Sequence, residues 1–171
     1  VFNYDCVGQI DLFDYFNDKQ PLKITKPIRL IELFGGIGSQ LMALKRIGAN
    51  VEQWKLCEWE VNAVKSYRAI HCNDNTDYSE GLNVEELANA LLGISVDGKK
   101  PLTKAQIKKK GEKWLRETYN DMKATHNLID ITKAAGEDLH IEDTENYTYL
   151  LTYLLLPLSR FKRSRQGKRN E

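Results

Sequence analysis

A chain of 171 residues, 42% of them hydrophobic and 29% charged, is long enough to bury the core of a single globular domain. Its formal net charge of +1 hides an asymmetry, because residues 160–171 carry six Lys or Arg against one Glu and leave the rest mildly acidic, which argues against a body that binds nucleic acid through charge alone. The three cysteines, Cys6, Cys57 and Cys72, lack metal-ligand spacing and fit reduced thiols; no apolar run approaches the roughly 20 residues of a membrane span and no signal peptide is evident, so the expected setting is the cytoplasm of a bacterial or phage-infected cell, near its nucleoid.

Residues 1–26 read as an N-terminal extension, starting at Val rather than Met as a processed or cropped piece would. Within it, Ile10–Phe16 forms a short amphipathic segment. Lys26-Pro27 breaks what precedes and delivers the chain into a strand. That strand, with Leu30, Ile31, Leu33 and Phe34 apolar on both faces, has the pattern of a buried parallel strand. Gly35, Gly36 and Gly38 follow at once, a turn where a ligand can approach main chain without a Cβ in the way. A helix is expected from Ser39 or Gln40 to Gly48, burying Leu41, Met42, Leu44 and Ile47.

A second strand, Val51–Cys57, ends in Glu58-Trp59 about 20 residues past the glycines, where an acidic residue meets a ribose in nucleotide-binding α/β folds. Glu60–His71 then reads as a helix on the spacing of Val61, Val64, Tyr67 and Ala69-Ile70, and Asn73–Asp77 stops it. His71 and Cys72 are adjacent, a poor arrangement for joint metal coordination. Two further helices are expected, Val84–Leu92 and a long Thr103–Met122 with Thr103 as N-cap and Ile107, Trp114, Leu115, Thr118 and Met122 as its buried stripe. Lysines 99, 100, 104, 108, 109, 110 and 113 crowd the other side; this reads first as a solvated face, with contact to DNA phosphates as the alternative. Asn127–Thr132 gives a third strand ending at Asp130-Ile131, and Asn146–Tyr153 a β-branched and aromatic fourth.

Phe34-Gly-Gly-Ile-Gly38 followed by Cys57-Glu-Trp-Glu-Val-Asn-Ala-Val-Lys-Ser-Tyr-Arg-Ala-Ile-His71 resembles the first two motifs of the DNA (cytosine-5) methyltransferases. The resemblance implies an S-adenosylmethionine cofactor, with Phe34, Gly36, Ile37 and Gly38 along its methionine half, Glu58 on the ribose hydroxyls, Trp59 on the adenine, and Asp130 and Ile131 reading the adenine amine and ring. Ser39 stands where the family has a further glycine. The implied fold is α/β, a class I Rossmann-like parallel sheet of which residues 27–153 form an incomplete N-terminal half, with a helical insertion over about 73–126. The implied function is methyl transfer from S-adenosylmethionine to C5 of cytosine in DNA, as in restriction-modification or phage self-protection.

That chemistry needs a cysteine thiolate to attack C6 of a flipped-out base. The family carries it in a Pro-Cys-Gln turn directly after the fourth strand, whereas this chain reads Leu154-Leu-Leu-Pro-Leu-Ser-Arg160. Encoded as CTT-CCC-TTG-TCA-AGA-TTT and followed by an A, Leu156–Phe161 would yield Phe-Pro-Cys-Gln-Asp-Leu when read one nucleotide later. Residues 154–171 are therefore expected to be a basic, out-of-frame tail on a fragment that is inactive alone, without catalytic residues or target-recognition domain, and with weak or no DNA binding. The alternatives are a non-catalytic S-adenosylmethionine-binding module, one half of a split enzyme completed by a separate catalytic half, or a nicotinamide-nucleotide site.

Overall fold

The computed structural model describes residues 25–153; most of the N-terminal extension, including Ile10–Phe16, and the whole basic tail 154–171 lie outside the described residues. Strand β1 (Ile28–Leu33) is the middle of a three-stranded sheet, parallel to β2 (Val51–Cys57) on one side and to β3 (Thr148–Tyr153) on the other. The register with β2 starts at Ile28 opposite Val51 and slips between Leu30 and Ile31, so that Leu33 meets Cys57. Strand order reverses at β1, and in such sheets ligands bind outside the carboxyl ends of the strands at the point of reversal.

Alternation along β1 assigns the two faces. Ile28, Leu30 and Glu32 point into the helical layer and are fully buried, while Arg29 faces the other way. There its guanidinium lies 3.9 Å from the ring centre of Trp54 and 3.5 Å from that of Tyr147, pairs with Glu52 at 2.7 Å and donates to the Tyr149 hydroxyl at 2.9 Å. Stacking on aromatic faces and pairing with a carboxylate together offset the cost of covering that charge.

Helices α1 (Ser39–Arg46) and α2 (Val61–His71) follow β1 and β2 and close over the first face with Leu41, Val61, Val64 and Tyr67. Glu60 caps α2 by accepting from the N–H groups of Asn62 and Ala63. Ile47, Ala69 and Ile70, read as apolar periodicity, are exposed instead, because α1 ends at Arg46 and the last turn of α2 passes beyond the sheet. The insertion forms α3 (Val84–Ala90), α4 (Lys104–Lys108) and α5 (Glu112–Ala124). Its Leu87, Leu91, Ile94, Ile107, Leu115 and Met122 join Leu30, Leu41 and Tyr67 in one continuous core.

Two expectations are corrected. The long helix over 103–122 is broken at Gly111, whose φ of 86° and ψ of 157° lie in a region open to glycine alone; Thr103 does cap its first part, in a capping box with Gln106. The third strand over 127–132 is reduced to a single parallel bridge between Leu56 and Asn127. Beyond it the side chain of Asn127 takes over the pairing, accepting from Glu58 N–H at 3.1 Å and donating to Glu58 carbonyl at 2.8 Å, and Ile129 turns away at φ 64°.

Candidate cofactor site

At the carboxyl ends of β1 and β2 the backbone leaves regular structure in three places that face one another. Phe34 does not continue β1 as read from the sequence; it adopts φ 56° and stands 50% exposed, its N–H still held by the carbonyl of Cys57 at 2.8 Å. Gly36 and Gly38 follow at φ 55° and 82°. Across the gap Ile129, a β-branched residue for which left-handed backbone is a true outlier, wraps the opposite wall. Strain of this kind is held only where surrounding structure over-determines it, and it gathers at ligand sites.

Between these walls lies a cavity of about 200 Å³ lined by Phe34, Cys57, Glu58, Trp59, Ile129, Asp130, Ile131 and Thr132. Phe34, Glu58, Trp59, Asp130 and Ile131 were singled out from sequence, and the fold brings all five to one hollow. Gly36 is joined to it through its N–H, which donates to Glu58 Oε2 at 3.1 Å. A Cβ at Gly36 would meet nothing within 4 Å, so this part of the turn presents bare main chain. Ile37 and Gly38 do not line the cavity; they face a shallow groove between α1 and α2 with Met42, Arg46, Ile70 and His71. A larger hollow of about 330 Å³, lined by Trp54, Lys55, His126, His140 and Glu142, shares no residue with the glycine turn.

The carboxylates are set for accepting. Glu58 Oε1 takes the N–H of Glu60 at 2.9 Å and Oε2 that of Gly36, which leaves one lone-pair position on each oxygen for a pair of hydroxyls. Asp130 accepts from the hydroxyl of Thr132 at 2.7 Å and from its N–H at 3.0 Å, and these bonds hold its carboxyl below the usual range, so it is an ionised acceptor. Trp59 and Ile131 supply apolar walls. A flat ring with an exocyclic amine and a sugar diol matches this set of groups.

Sequence reasoning missed Asn127, Cys57, Ile129 and Thr132. Asn127 matters most, since its amide also accepts from Ile129 N–H at 2.8 Å and so locks both walls. Cys57 is buried, and burial first, then the charges of Glu58 and Asp130, push its thiol up to about 11. The insertion completes the rim. Ser95 donates to the Trp59 carbonyl at 2.7 Å, and a Cβ at Gly93 would lie 3.4 Å from that of Asp130. Among the described residues no group of three or more His, Cys, Asp or Glu is placed to hold a metal ion, and no helix is long and apolar enough to cross a membrane.

No family model matches the chain. Over 137 residues, however, it is 33% identical to the orphan methyltransferase M.SssI of Spiroplasma monobiae, a match covering 75% of this chain and 34% of that protein. The chain is similar to a methyltransferase. It spans about a third of that relative's length, and the three parallel strands with flanking helices among the described residues agree with part of a Rossmann-like methyltransferase fold.

Proposed function

We propose that this chain is the cofactor-binding part of a DNA (cytosine-5) methyltransferase and holds S-adenosylmethionine at the carboxyl ends of β1 and β2. The observation that carries this reading is the meeting of Glu58, Trp59, Asp130 and Ile131 with Phe34 in one cavity, tied to the glycine turn by Glu58. In it, Glu58 binds the ribose diol, Trp59 and Ile131 enclose the adenine, Asp130 accepts a hydrogen bond from its amine, and the Phe34–Gly36 end of the turn carries the methionine half. When bound, the cofactor supplies an electrophilic methyl group.

Among the described residues neither thiol is set to start that transfer. Attack on cytosine requires a thiolate, and with a pKa of about 11 Cys57 is ionised only to the order of one part in 10⁴ at pH 7. Burial raises the Cys72 thiol as well, at the end of α2. A second reading, a split enzyme completed by a separate half that brings the cysteine, draws support from β3, which among the described residues pairs with β1 alone and exposes Leu151 and Tyr153.

Titration calorimetry of the whole chain with S-adenosylmethionine tests the first reading: one saturable site is expected, with NAD giving no heat, and the reverse pattern refutes it. Co-expression with a chain carrying Pro-Cys-Gln tests the second through methylation of DNA that neither chain produces alone.

A further inference from the structure

Beneath the glycine turn lies a set of hydrogen bonds made by residues outside the cavity. Glu32 is fully buried in the middle strand. One of its carboxylate oxygens accepts from the N–H of Leu41, in the first turn of α1, at 3.3 Å; the other accepts from the Tyr67 hydroxyl at 2.5 Å. Tyr67, also fully buried, belongs to α2. One turn further along that helix, His71 leans on the Tyr67 ring with centroids 4.8 Å apart, and its Nε2 lies 3.0 Å from the Ile37 carbonyl. A carbonyl only accepts, so Nε2 carries the proton. Helix α2 thus grips the turn at both ends, through Glu32 where α1 begins and through His71 at Ile37.

Gly38 sits between these grips. A Cβ there would fall 2.4 Å from His71 Nε2 and 2.8 Å from Tyr67 Cε2, so α2 packs on the bare backbone of the turn. A buried carboxylate in a central strand is costly unless its oxygens find donors, and the two donors found here belong to the elements on either side of the turn.

We propose that Glu32, Tyr67 and His71 act as a clamp that fixes the glycine turn in its binding conformation, making Tyr67 and His71 positioning residues for the cofactor although neither lines its cavity. The proposal rests on the cofactor reading above. Its physical content is preorganisation, since a turn already held in shape loses less conformational freedom when ligand arrives.

The test uses the full chain and three variants. Tyr67→Phe removes one oxygen and keeps the ring; His71→Phe keeps the ring and loses the donor; His71→Gln returns an N–H at similar reach. Each is measured by S-adenosylmethionine calorimetry and, without ligand, by hydrogen exchange of the amides from Gly36 to Leu41. Loss of one such hydrogen bond is expected to weaken binding about tenfold in Tyr67→Phe and His71→Phe, with faster exchange in the turn, and His71→Gln should recover most of both. Affinities within twofold of the original chain and unchanged exchange in both phenylalanine variants would overturn the clamp while supporting the cofactor site. Faster exchange in those variants of a chain that binds no cofactor would support the clamp and overturn the cofactor site. Should either phenylalanine variant fail to fold, the comparison of the other residue's variants with the original chain decides.

Discussion

Asn127 shows how much one side chain can settle. Its amide replaces a stretch of ladder, and its oxygen and nitrogen serve the N–H and carbonyl of Glu58 and the N–H of Ile129. Asn127→Ala strands three backbone groups at once and is expected to cost about 2 kcal/mol of stability in urea denaturation, with weaker cofactor binding because Glu58 is no longer fixed. Glu32 carries a different signature. Burial holds its carboxyl above the ordinary value of 4.5, against the pull of the Tyr67 hydroxyl and the Leu41 N–H. Between the ordinary and the raised value the native state keeps a proton there that the unfolded chain has given up. The resulting stability is complete below the ordinary value and declines as pH rises through the raised one. Glu32→Gln removes this dependence, so the stability of the original chain minus that of the variant, followed by urea denaturation across pH, should be flat below about pH 4 and fall above it; a difference that rises with pH would contradict the assignment.

At the level of elements, the glycine turn makes a graded prediction. Gly36→Ala meets open space and suffers only from its φ of 55°, a cost of about 1–2 kcal/mol. Gly38→Ala adds collision with His71 and Tyr67 to a φ of 82°, and should lose about 1–3 kcal/mol more by thermal denaturation. This region was legible in the sequence because its signals are local: an apolar strand, glycines, and an acid at the next strand end. The remainder was legible only in part. Asn127–Thr132 has the composition of a strand, but whether a ladder continues depends on a side chain on one segment reaching the backbone of another, Asn127 to Glu58. The break in the predicted long helix lies in Lys109-Lys110-Gly111, where two good helix formers precede the residue that stops it. Phe34 also read as strand, since nothing local marks an aromatic residue that turns outward to form a cavity wall. The lysines are divided as well. Lys104 and Lys108 both pair with Glu85 across α3 and α4, while Lys99, Lys100, Lys109, Lys110 and Lys113 are exposed.

For the molecule as a whole, the insertion shares the core of the sheet, so the cavity beside the glycine turn and the insertion should unfold together. Strand β3 is the contrasting case: its outer face exposes Leu151 by 52% and Tyr153 by 61%. Apolar residues on a strand edge invite pairing between chains. Leu151→Lys with Tyr153→Lys is expected to reduce concentration-dependent light scattering while changing stability by no more than about 0.5 kcal/mol. A two-dimensional amide NMR titration with S-adenosylmethionine locates the proposed cofactor site residue by residue. Saturating shifts are expected at Gly36, Glu58, Trp59, Asp130 and Ile131, with Lys55, His126 and His140 in the larger hollow unmoved; shifts confined to that hollow, or none at saturating cofactor, would refute the proposed site.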